Sequence, residues 1–120
     1  MLVDDIPEVI EFCRGILEAN YEIVGTAGDG ESAIALFAAE QPDVLVLDIS
    51  MPGLTGIDVA RRLRASGCTA AIVFVSASVE RAAAAIEAGG SAFVWKNRIK
   101  ADLELAVSEA LAGRLFVSGK

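Results

Sequence analysis

Val44-Leu45-Val46-Leu47-Asp48, residues 44–48, is a run of four aliphatic residues that ends on a carboxylate. A strand with one face in water alternates apolar and polar residues, whereas a continuously apolar strand is covered on both faces. Ile72-Val73-Phe74-Val75 repeats the pattern and runs into a hydroxyl, Ser76. Two such strands belong to a parallel sheet packed between layers of helices. Outward from them, short apolar runs at Leu2–Val3, Ile23–Val24 and Ala92–Trp95 read as three further strands. Helical spacing fills the intervals. Val9, Cys13, Ile16 and Leu17 share a face, as do Ala33, Leu36 and Phe37, then Val59 and Leu63, then Val79, Ala83 and Ile86. The last helix carries Leu103, Val107, Ala110 and Leu111. Pro7 suits a first helical turn, where its missing N–H has no partner to lose, and Pro42 helps to stop the second helix. The alternation predicts an α/β fold: a doubly wound, five-stranded parallel sheet flanked by five helices in three layers, one domain over residues 1–120.

The bulk composition narrows the function. With 54% hydrophobic and 22% charged residues the chain can build a packed core. A net charge of −7 argues against a general nucleic-acid surface and against docking on an acidic membrane face. The acidity fits solubility and an acidic site equally well. The absence of histidine removes His-dependent triads, the usual zinc sites and imidazole base chemistry. Cys13 and Cys68 lack metal-type spacing, and Cys13 reads as a small buried hydrophobe. Neither a membrane-length apolar run nor a signal peptide is evident, so a cytoplasmic location is expected.

In doubly wound sheets ligands sit at the carboxyl ends of the strands. Asp4 and Asp5 follow the first strand and Asp48 ends the third, so three carboxylates should converge there. Close carboxylates repel one another unless a cation lies among them, and a few hard oxygen ligands suit Mg²⁺. A lone strand-end aspartate more often caps a helix or starts a turn, but three on one edge favour the metal. Ser76 ends the fourth strand and Lys96 the fifth. A lysine there can neutralise a phosphoryl group, and a hydroxyl can bond one of its oxygens.

These residues resemble the receiver domains of two-component response regulators over essentially the whole chain. The matching pieces are Val3-Asp4-Asp5, Val44 to Gly53 with Gly56, Val75-Ser76-Ala77, and Ala88-Gly89 leading to Phe93-Val94-Trp95-Lys96. The resemblance implies a flavodoxin-like sheet of order 2-1-3-4-5. It also implies that Asp48 accepts a phosphoryl group from the phosphohistidine of a sensor histidine kinase. Mg²⁺ would be held by Asp5 directly, by Asp4 mainly through water, by Asp48 and by the Ser50 carbonyl. Ser76 would be the switch hydroxyl, Lys96 the phosphoryl partner and Phe93 the switch aromatic. Such a domain is a signalling switch, not an enzyme in its own right, although it assists its own phosphotransfer and dephosphorylation. Ser50 and Ser78 resemble positions that tune the phosphoryl lifetime.

The departures are specific. Three residues precede Asp4, fewer than the family's first strand normally has, which suggests a longer natural chain. Asn97 stands where many members have proline, so the Lys96–Asn97 peptide is expected to be trans. Trp95 is unusual. Phe93 and Trp95 share a strand face; if the fifth strand is an edge, they form an apolar contact for a homodimer or effector between the fourth helix, fifth strand and fifth helix, or else pack as plain core. Leu111 to Ser118 resembles the receiver end of regulators that continue into a LuxR-type helix-turn-helix, so the parent is expected to regulate transcription. These 120 residues show no recognition helix or basic surface, and direct DNA binding by them is not expected. An unphosphorylated interaction module is disfavoured by the intact Asp5, Asp48, Ser76 and Lys96 set. A nucleotide enzyme is disfavoured by the glycine order in Gly25–Gly30, which does not match G-x-G-x-x-G. A phosphatase of similar fold would need an acid where Ser50 stands.

Overall fold

A computed structural model describes residues 1–118. In chain order the elements are β1 (Leu2–Val3), α1 (Pro7–Leu17), β2 (Thr26–Ala27), α2 (Gly30–Glu40), β3 (Val44–Asp48), α3 (Gly56–Ala65), β4 (Ala71–Ser76), α4 (Ala82–Glu87), β5 (Ala92–Trp95), α5 (Ile99–Leu111) and β6 (Phe116–Val117), with 3₁₀ turns at Val79–Arg81 and Lys96–Arg98. The strands form one parallel sheet of order β2-β1-β3-β4-β5-β6.

The apolar strands are covered on both faces. Successive side chains point to opposite faces. Leu45, Leu47, Phe74 and Phe93 accordingly enter one core with Val59, Ala60 and Leu63 of α3 and Ala33 of α2. Val46, Val73, Val75 and Val94 enter the other with Cys13 and Leu17 of α1 and Leu103, Ala106 and Val107 of α5. Cys13 is 3% exposed, the small buried hydrophobe expected of it.

Strand register brings the site together. Val3 pairs with Leu47, so Asp4 follows directly beside Asp48. Asp48 pairs with Val75, and Ser76 with Trp95, which places Ser76 and Lys96 at the same carboxyl edge. The first turn of α3 packs on this edge. Thr55 and Asp58 form a reciprocal capping box, the Asp58 N–H donating to Thr55 Oγ1 at 3.2 Å and the Thr55 N–H to Asp58 Oδ2 at 3.2 Å. Gly56 then lies so close that a Cβ on it would sit 2.1 Å from the Asp48 carbonyl oxygen.

Four sequence expectations need correction. The second strand is Thr26–Ala27, not Ile23–Val24: the Leu2 N–H donates to the Gly25 carbonyl and the Asp4 N–H to the Ala27 carbonyl. Ile23 is half-buried against the α1/α5 core without joining the ladder. The sheet has a sixth strand, β6, paired with β5 through Ala92↔Phe116 and Phe93↔Val117. Consequently β5 is not an edge, and of the two alternatives for Phe93 the structure has plain core packing. Of the face expected for the fourth helix only Ile86 packs on the core, beside Ala85 and the capping residue Ala88, while Val79 is 48% exposed and Ala83 is exposed. Val79 belongs to a 3₁₀ turn, which advances about 120° per residue against 100° for an α-helix, so one helical stripe cannot run through both. Leu111 at the end of α5 is likewise exposed, at 44%.

Candidate functional site at the carboxyl edge of the sheet

Asp48 ends β3 almost wholly buried, 1% exposed, and neither carboxylate oxygen has a hydrogen-bond partner among the described residues. A buried acceptor without a donor is costly. Its nearest charge is Lys96 Nζ, 3.5 Å from Oδ1. Burial and the negative charge of Asp4 push the Asp48 carboxyl up to about 6, against the opposing pull of Lys96.

Asp4 is also buried, but it is satisfied. Its Oδ1 accepts the Ile6 N–H at 2.9 Å and its Oδ2 pairs with Lys96 Nζ at 3.3 Å. Asp5 is exposed at the mouth of the site. One carboxylate oxygen each from Asp4, Asp5 and Asp48 lies within 4.8 Å of the others. Lys96 therefore bridges two acids. Burial alone would lower its affinity for a proton, and the charges of Asp48 and Asp4 together outweigh that and hold it up. The donor set is all oxygen, anionic and in part unsatisfied, which is the set Mg²⁺ takes.

Ser76 is 1% exposed at the end of β4. Its Oγ accepts the Ser78 N–H at 3.1 Å and donates to the Ser78 carbonyl at 3.3 Å, so the hydroxyl is engaged locally rather than with Asp48. Ser50 lies two residues beyond Asp48 with its side chain exposed. The Lys96–Asn97 peptide is trans, as expected. Asp4, Asp5, Asp48 and Lys96 thus meet at one point, with Ser76 at the neighbouring strand end. Phe93 lies away from it in the core.

Two features escaped the sequence reading. Gly56 was visible as a glycine but not as the contact that lets α3 approach the Asp48 backbone. The signal was present, since Thr55-Gly-Ile-Asp58 is a capping-box spacing that fixes where the helix starts. The second is a buried carboxylate, Asp102, on α5. Its partners Arg98 and Ser118 are 4 and 16 residues away, and no local pattern joins all three.

Comparison with known proteins agrees with this geometry. The family model described as "Response regulator receiver domain" matches residues 1–108. The chain is 37% identical over 117 residues to the nitrate/nitrite response regulator protein NarP of Escherichia coli K12, covering 94% of this chain and 53% of NarP. It is 37% identical over 98 residues to the "Probable transcriptional regulatory protein TcrX" of Mycobacterium tuberculosis, covering 80% of this chain and 42% of TcrX. The chain spans about half the length of the curated relatives it matches. Among solved structures, a LuxR-family two-component response regulator from Aurantimonas sp. SI85-9A1 superposes with a TM-score of 0.91 at 36% identity, over 97% of this chain and 86% of that one. Receiver domains are signalling modules that interact with histidine kinases and generally use Mg²⁺ at an acidic pocket. No described helix is long and apolar enough to cross a membrane. Fold, strand-edge site and family match lead to one conclusion: the chain belongs to the response regulator receiver domain family.

Proposed function

We propose that Asp48 is the phosphoacceptor, taking a phosphoryl group from a phosphohistidine on a sensor histidine kinase, and that the domain thereby switches an effector, in the parent protein a transcriptional output. The observation that carries this is the buried Asp48 carboxylate, paired with Lys96 but without a hydrogen-bond partner among the described residues. One Asp48 oxygen attacks phosphorus, the P–N bond to the donor imidazole breaks, and the electron pair leaves with the ring nitrogen. Lys96 neutralises charge on the transferring group. Ser76 must give up the bond it donates to the Ser78 carbonyl in order to donate to a phosphoryl oxygen, so its rotation is the switching move on the β4 side. Asp5, Asp48 and the Ser50 carbonyl would hold Mg²⁺, with Asp4, already bonded to Ile6 and Lys96, acting through water. Bound there, the ion offsets the clustered negative charge and that of the incoming phosphoryl group.

The whole described chain acts as one receiver unit. With Phe93 buried, the contact for a second copy across α4, β5 and α5 rests on half-buried Trp95. Labelling with radioactive acetyl phosphate tests the chemistry. An acyl phosphate on Asp48 is released by hydroxylamine; a hydroxylamine-resistant label would put the group on a hydroxyl and contradict the assignment.

A further inference from the structure

Beyond the carboxyl-edge site lies a second polar cluster, around Asp102. This carboxylate, 8% exposed in the first turn of α5, is largely buried. Its Oδ2 accepts Arg98 Nε at 2.7 Å and the Ser118 hydroxyl at 2.9 Å, and its Oδ1 accepts Arg98 Nη2 at 3.3 Å. Ser118 is 3% exposed. Its Oγ also accepts the Trp95 N–H at 3.1 Å, and its own N–H donates to the Phe93 carbonyl at 2.8 Å. A single hydroxyl therefore joins the end of β5 to the start of α5, satisfied as donor and acceptor.

The turn Lys96–Arg98 lies between these anchors. Lys96 is bound at one end to Asp4 and Asp48, and Arg98 at the other to Asp102, with Asn97 between them. Trp95, whose N–H Ser118 holds, precedes Lys96 directly. By contrast β6 is a slight element: its two residues pair with Ala92 and Phe93 of β5 and half-buried Phe116 packs on the α1/α5 core, but Val117 is 43% exposed and neighbouring Leu115 is 62% exposed. Elements with few buried apolar contacts open readily.

We propose that Ser118 and Asp102 form a latch that docks β6 on the Lys96 turn, positions Lys96 for phosphoryl transfer and tightens when Asp48 is phosphorylated. The inference rests on the phosphoacceptor reading above. A phosphoryl group presents up to two negative charges to Lys96 where the carboxylate presented one, so the turn is held more firmly. Coupling is reciprocal: if the docked strand favours the phosphorylated state, phosphorylation favours the docked strand. Ser118 and Asp102 are positioning residues, acting through the turn.

The test is hydrogen–deuterium exchange of the full chain with Mg²⁺, with and without acetyl phosphate, for wild type, Ser118→Ala and Ser118→Thr, with adduct mass read on each sample. Wild type should show slower exchange over residues 114–118 on phosphorylation. Ser118→Ala should lose that protection and phosphorylate about fivefold more slowly, the lower end of couplings between distinct sites. Ser118→Thr, which keeps the hydroxyl, should restore both. A phosphorylated wild type with unchanged or faster exchange there would overturn the latch while leaving the phosphoacceptor reading intact, and so would a Ser118→Ala chain behaving as wild type. A wild type that takes no phosphoryl group would overturn both.

Discussion

At neutral pH the Asp48 carboxylate is ionised, although burial and Asp4 push its titration up to about 6. Between roughly pH 4, where an unfolded aspartate titrates, and pH 6, the native chain binds more protons than the unfolded one. The contribution of Asp48 to stability therefore falls as pH rises through that window, by about 3 kcal/mol in metal-free buffer. Asp48→Asn removes this loss. Urea unfolding at pH 4 and pH 7 should show the variant gaining on wild type by about that amount at the higher pH. A constant difference would mean that the carboxylate is better solvated than its burial indicates. The residues behind this behaviour were legible in the sequence because each ends an apolar run: Asp4 and Asp5 after Val3, Asp48 after Leu47, Ser76 after Val75, Lys96 after Trp95. Their satisfaction was not. That Asp4 has a hydrogen bond as well as the ion pair to Lys96, and Asp48 the ion pair alone, depends on the Ile6 N–H and on the reach of Lys96, neither of which is a pattern in the chain.

Among the elements, α3 is the one most tightly tied to the site. Its first turn packs where a Cβ on Gly56 would lie 2.1 Å from the Asp48 carbonyl oxygen, a backbone atom that cannot swing aside. Gly56→Ala must push the helix away, and overpacking of this kind should destabilise by about 3 kcal/mol. Differential scanning calorimetry would read that as a lower Tm; an unchanged Tm would show that α3 can slide. Strands β3 and β4 were readable because a doubly covered strand leaves an unbroken apolar run. Strand β2 was misplaced because Ile23 is apolar through packing against the α1/α5 core, whereas Thr26 and Ala27, which pair with β1, form no apolar run. Strand β6 was invisible for a related reason: it is short and half-exposed, and the hydroxyl bond from Ser118 that follows it spans 23 residues to Trp95. The buried face of α4 was lost where the 3₁₀ turn changes the angular step ahead of it.

For the molecule as a whole, the predicted behaviour is that of a fold with one unfavourable charge cluster that a cation relieves. Mg²⁺ binding to the native state alone should raise the stability of wild type, by about 2.7 kcal/mol at a hundredfold excess over Kd. The effect should be much reduced in Asp5→Asn and Asp48→Asn, as followed by thermal unfolding at constant ionic strength. Equal stabilisation of all three would point to general salt screening. The architecture makes this economy of function possible: the parallel register sets four strand ends side by side, and helices close both faces so that the chemistry is confined to one edge. The decisive measurement is intact-mass spectrometry after incubation with acetyl phosphate and Mg²⁺, beside Asp48→Asn. Wild type should gain one phosphoryl group, lost without Mg²⁺ and absent from the variant. A folded wild type that gains no mass, or an Asp48→Asn chain that gains as much, would contradict it.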